Sequence, residues 1–181
     1  MERRNRYIIL GITDGLFLGI GIALGISFFN SYKFTFISIL LVGISGALSN
    51  LFATYNAEEY VTGEQIREYK RMLFARDYNP KKIRHSRHMK SIRAALASFI
   101  ATLVGSFIVL APYIISSAIS FQQIRDTSIA SLVLSLCILG YIGSRNRERG
   151  ERMRNGLKMI GIGLLIAIAS SGVGFLVNTF L

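Results

Sequence analysis

The chain has 181 residues, is 51% hydrophobic, carries a net charge of +11 at neutral pH and has a mean hydropathy of +0.45. Apolar content at that level, gathered into blocks, excludes an ordinary water-soluble domain. The single cysteine, Cys137, excludes an intrachain disulfide, and the basic residues flank the apolar blocks, where topology and anionic lipid account for them without nucleic acid.

A bilayer core of about 30 Å takes about 20 helical residues to cross. Five segments are read as spans, at about 7–29, 35–55, 92–116, 128–144 and 157–180, the fourth being the shortest. The expected fold is all-α, a polytopic membrane protein forming one membrane domain over residues 1–181. A short basic helical insert at 56–91 stands in the cytosol. The first span is not read as a cleaved leader, because its apolar run is long and no small-residue cleavage site closes it.

Span 1, "YIILGITDGLFLGIGIALGISFF", contains Asp14, the only acidic residue within any span. A carboxylate near the bilayer centre costs on the order of 2.5–3.5 kcal/mol, so such residues face the bundle interior and mark candidate functional sites. Asp14 is about seven residues in, roughly 10 Å deep, too far for so short a side chain to snorkel. Gly11, Gly15 and Gly19 recur on one side of this helix, and Asp14, Leu18, Gly21 and Gly25 line an adjacent stripe.

Span 2 runs back after the short connection "FNSYKF", which places Asn50 at about the depth of Asp14. Ser49, Asn50 and Thr54 add oxygen atoms, with Asn50 and Thr54 on one helix face. One carboxylate with amide and hydroxyl oxygens makes a weak site for a hard cation; the competing reading is helix–helix hydrogen bonding. The next stretch, "NAEEYVTGEQIREYKRMLFARDYNP", favours helix, so span 2 is expected to continue from about Phe36 beyond Tyr69, with Gly63 its one weak point and Asn79-Pro80 its end. Glu58, Glu64 and Glu68 on this extension are candidates for gathering cations. Interleaved Arg67, Lys70 and Arg71 equally fit a salt-bridged surface helix.

"KKIRHSRHMKSIR" is a second basic cytosolic piece leading into span 3, which carries Pro112 near its outer end. His85 and His88 have a ligand spacing, but the surrounding Lys and Arg repel cations. Spans 2 and 5 share the glycine-rich character, with Gly43 and Gly46, then Gly161, Gly163, Gly172 and Gly174. Of the 21 Lys and Arg, all but Lys33 and Arg125 fall on the side of the N-terminus. The positive-inside rule then predicts a cytosolic N-terminus and an external C-terminus. No nucleophile–base pair, glycine-rich phosphate loop or CxxC motif is present to support an enzyme.

The chain resembles the vacuolar iron transporter family of small five-span divalent-metal transporters. "DGLFLGIGIALGI" resembles the family's first span, which opens with Asp-Gly. "GISGALSN" resembles the second, and "RAALASFIATLVGSFIVLAPYI" the third with its late proline. "LCILGYIGSR" and "GLKMIGIGLLIAIASSGVGFLV" resemble the last two. The resemblance implies a homodimer that moves cytosolic ferrous iron or a related ion out of the cytosol as protons move the other way. It implies that Asp14 lies in a pathway between the protomers' first spans. Three departures mark a divergent, prokaryotic-type member. Asn50 stands where the family often has methionine, which favours harder ions. Ala53-Thr54-Tyr55 replaces Gly-Glu-Tyr, and the interval from Asn56 to Ser91 is short and basic where some members carry a large carboxylate-rich domain.

The resulting expectation is an exporter of Fe²⁺ or Mn²⁺ in the plasma membrane, driven by proton antiport. The pathway residues are Asp14, Asn50, Thr54 and Ser49, and the metal-binding residues are Asp14, Asn50, Glu58, Glu64 and Glu68. Gly15 and Gly19 are expected at the contact between two copies. The cation is a substrate, with no permanent cofactor, and the other partners are lipid and protons. The alternative is a non-transporting membrane protein whose basic hairpin binds anionic lipid or a protein partner, with Asp14 holding helices together.

Overall fold

A computed structural model describes residues 2–29, 31–72, 80–118, 124–145 and 149–180. The helices are α1 (Glu2–Ile26), α2 (Tyr32–Met72), α3 (Pro80–Ala118), α4 (Ile124–Arg145) and α5 (Arg149–Phe180), with one 3₁₀ turn, Ser27–Phe29, after α1. All five are long and apolar enough to cross a membrane. The described residues contain no strand.

α2 is a single helix of 41 residues, about 60 Å long, roughly twice the thickness of a bilayer core. It passes through Gly63, where a methyl group would meet nothing within 4 Å, and ends in the helix-favouring run "EQIREYKRM". Asn79 lies outside the described residues. Pro80 opens α3, a position where its missing N–H has no helical partner to lose. The basic piece before span 3 is therefore continuous with it in one helix of 39 residues, which also carries Pro112 without ending there.

α1 packs against each of the other four helices. The interior is built from Leu16, Ile20, Ile39, Leu110, Tyr113 and Leu139, all nearly or fully removed from the surface. α1 and α3 approach backbone to backbone. A Cβ on Gly15 would lie 2.2 Å from the Thr102 carbonyl oxygen, and one on Gly105 would lie 2.4 Å from that of Ile12. A Cβ on Gly19 would lie 2.6 Å from the Val109 side chain. This corrects the expected position of Gly15 and Gly19. They are buried within one chain, where α3 occupies the face that a second copy was expected to fill.

α4 packs through hydroxyls as well as through hydrocarbon such as Leu139. Ser128, Ser131 and Ser135 recur on its buried face. Ser131 Oγ donates to the Val109 carbonyl at 2.9 Å, and Ser128 Oγ lies 2.8 Å from Tyr113 Oη. Small hydroxyls allow close helix contact and satisfy one another, which is why the fourth span reads as the least apolar. Large side chains such as Leu41, Phe52, Leu165, Ile168 and Phe175 point outward, an arrangement suited to lipid rather than water.

Candidate functional site

The short α1–α2 connection makes these helices antiparallel neighbours, and the packing brings Asp14 and Asn50 together. Asn50 Nδ2 donates to Asp14 Oδ2 at 2.8 Å and to Thr102 Oγ1 on α3 at 2.8 Å. The Thr102 hydroxyl donates in turn to the Ser98 carbonyl at 3.0 Å. The direction of this chain follows from its donors. Thr102 has spent its only proton on Ser98, so it accepts from Asn50, and both amide hydrogens are then committed. Asn50 Oδ1 and Asp14 Oδ1 are left as the acceptors a cation would use. Thr102 is fully buried, whereas Asp14 and Asn50 are half-buried.

The donor set is hard oxygen without sulfur or imidazole, which suits Mn²⁺, Fe²⁺ or Mg²⁺ and not a soft ion such as Cu⁺. Among the described residues no three His, Cys, Asp or Glu side chains gather into a metal cluster. One carboxylate with one or two neutral oxygens would bind a cation only weakly.

The remaining sequence candidates are spread along α2. Thr54 is buried one turn from Asn50, and Ser49 is exposed off that face. Glu58 is two turns away, about 12 Å, and accepts a hydrogen bond from the Tyr7 hydroxyl of α1. Glu64 is exposed, and the side chain of Glu68 lies outside the described residues. Glu58 and Glu64 are thus not brought to Asp14. A separate polar contact closes α2 onto α3 at the basic end, where His88 Nδ1 lies 2.9 Å from Glu59 Oε1 and 3.3 Å from Tyr55 Oη.

Thr102 is not marked by the sequence, and the partner of His88 is not either. Thr102 is one hydroxyl among several in span 3, and the spacing of Ser98, Thr102 and Ser106 marks a small polar face without saying which member meets α2. His88 stands among basic neighbours in sequence, whereas its partners Glu59 and Tyr55 come from α2.

Asp14 also lines a crevice of about 620 Å³. α1 contributes the stripe Leu18, Gly21 and Gly25, α5 contributes Ser170 and Val173, and α2 contributes Val42. At the far end α1 and α5 touch backbone to backbone, where a Cβ on Gly174 would meet the Gly25 carbonyl at 2.1 Å.

Five membrane-length helices around a single internal carboxylate define a polytopic membrane protein with a cation-compatible site between its first three helices. Residues 56–175, more than half of the chain, match the sequence profile of the VIT family, and the chain belongs to that family. The family implies metal-ion transport across a membrane. The matched stretch begins after Asp14 and Asn50. An uncharacterized protein of Methanocaldococcus jannaschii is 26% identical over 170 residues, covering 92% of this chain and 86% of that protein.

Proposed function

We propose that the protein exports a divalent cation, Fe²⁺ or Mn²⁺, from the cytosol across the plasma membrane in exchange for protons. The observation that carries this reading is the Asp14–Asn50–Thr102 hydrogen-bond chain inside the membrane-length part of the bundle. Asp14 supplies the negative charge, and Asn50 holds the carboxylate while keeping its own oxygen for the ion. Proton exchange follows if Asp14 takes a proton when the cation leaves, since one carboxylate serves the two in turn. Thr54, one turn toward the basic end, extends the route. A homodimer, where it forms, uses an outward surface rather than the Gly15–Gly19 stripe.

The test is uptake of Fe²⁺, Mn²⁺ and Co²⁺ into proteoliposomes under an imposed pH gradient. The purified protein is expected to move at least one of them, and no movement of any would end the reading. The Asn50→Met variant replaces a hard oxygen by a thioether. Its rate ratio of Fe²⁺ to Mn²⁺ is expected to rise, on the order of a few-fold.

Orientation is tested separately. In a Cys137→Ser background, Gly63→Cys places a thiol on the exposed extension of α2. It is expected to react with an impermeant maleimide only after cells are permeabilised, and Thr179→Cys to react from outside intact cells. The reverse pattern would invert the topology and the direction of transport with it.

A further inference from the structure

α2 is tied to α3 at two levels. Within the spans, Asn50 donates to Thr102. Nearer the basic end, His88 Nδ1 of α3 lies 2.9 Å from Glu59 Oε1 and 3.3 Å from Tyr55 Oη, both on α2. The Tyr55 and His88 rings meet edge to face, with 5.8 Å between their centroids. Asn50 and Glu59 stand on one unbroken helix, about 14 Å apart at helical rise. A movement of α2 that carries Asn50 away from Thr102 therefore also loads the outer tie. The proposed cation route makes no use of that tie.

The chemistry of the outer tie is set by its acceptor. A carboxylate offers only lone pairs, so the proton in the contact sits on Nδ1, and a second proton is taken up at Nε2. Uptake turns a neutral hydrogen bond into a charge-assisted pair between the same two atoms. Among the described residues, Glu59 is the carboxylate that contacts the ring. Glu58, the residue before it, is held by Tyr7 of α1. Tyr60 and Glu64 of α2, Arg6 of α1, and Lys90 and Arg93 of α3 are all exposed.

We infer that Glu59 and His88 form a proton-sensitive clasp that holds α2 against α3 and slows the cation cycle when the compartment at the basic end turns acid. Imidazole changes charge between about pH 5 and 8, so the tie strengthens across the neutral range. Both partners are partly exposed, His88 by 45% and Glu59 by 39%, which makes the effect a grading of rate rather than an on–off switch. The slowing rests on the transport reading, whereas the clasp itself does not.

The clasp is read by nitrogen NMR of histidine-labelled protein in lipid. The chain has two histidines, so His85→Gln leaves His88 as the only imidazole signal. The neutral ring is expected as the Nδ1–H tautomer, and an Nε2–H tautomer with a bare Nδ1 overturns the clasp. The regulation is read by Fe²⁺ or Mn²⁺ uptake into proteoliposomes at about pH 6 and about pH 8 on the metal-loading side. Each variant is compared with wild type under the same gradient, so the driving force cancels. His88→Gln keeps a donor for Glu59 without a charge to gain. Its rate relative to wild type is expected near unity at the higher pH and on the order of threefold at the lower. Glu59→Gln is expected to match it, since the acceptor stays and the charge goes. His88→Lys fixes the positive charge and is expected to stay slow at both. Ratios that do not change with pH, or His88→Lys as fast as His88→Gln, overturn the regulation. Wild-type protein that moves no metal removes the transport reading and the regulation with it, and the tautomer then decides the clasp.

Discussion

Asp14→Asn should abolish metal-dependent flux and leave the bundle assembled. The substitution keeps an oxygen at the position that accepts from Asn50 Nδ2, so the link between α1 and α2 survives. Exchanging a charged acceptor for a neutral one in a single hydrogen bond is worth about 1 kcal/mol, too little to unfold a five-helix bundle. The cation, by contrast, loses the only negative charge within the spans. A loss on the order of 100-fold, about 2.8 kcal/mol, is the expected minimum. The measurement is proteoliposome uptake normalised to monodisperse protein by size-exclusion chromatography. Equal flux in Asp14→Asn and wild type would show that Asp14 is structural. Collapse of the variant in detergent would show that the charge holds the helices, which is the non-transporting alternative.

The part of this site that was legible in the sequence is the part set by spacing along one chain. Apolar length gives the five spans, and the short link between the first two makes them antiparallel. Counting residues inward from each basic edge then brings Asn50 to Asp14, which the 2.8 Å hydrogen bond matches. What was not legible depends on which faces meet. Thr102 carries no mark that separates it from Ser98 or Ser106 until α3 is docked. The stripe Gly11–Gly15–Gly19 announces a close neighbour, but α3 and a second copy require the same small residues. Asp14, Leu18, Gly21 and Gly25 were visible as one stripe, while the α5 wall that makes them a crevice was not. Glu58 and Glu64 share a helix with Asn50, and their reach toward Asp14 is limited by helical rise rather than by charge.

Gly15 gives the largest expected effect on stability. Its neighbours on α3 are backbone atoms: the Thr102 carbonyl 2.2 Å from where a Cβ would lie, the Ser106 nitrogen at 3.0 Å and the Gly105 Cα at 3.1 Å. No rotamer change relieves these contacts, so even a methyl group must push the two helices apart. Overpacking of this kind costs about 1–3 kcal/mol or more, and Gly15→Ala is expected at the upper end. Gly15→Leu should fail to accumulate as a monodisperse species. The displacement reaches function as well, because Gly15 adjoins Asp14 and Thr102 holds the same Asn50 amide. Gly15→Ala is therefore expected to lose flux in the fraction that still folds. Gly161 and Gly172 on α5 provide the control. A Cβ at either meets nothing within 4 Å, and alanine there should be neutral or stabilise the helix by about 0.5–1 kcal/mol. Thermal melts of the four variants in one detergent decide the matter. If Gly15→Leu melts at the wild-type temperature, as the Gly161→Ala and Gly172→Ala controls are expected to, α1 and α3 are not in backbone contact. The Thr102 limb of the site would then have to be discarded, leaving Asp14 and Asn50 alone.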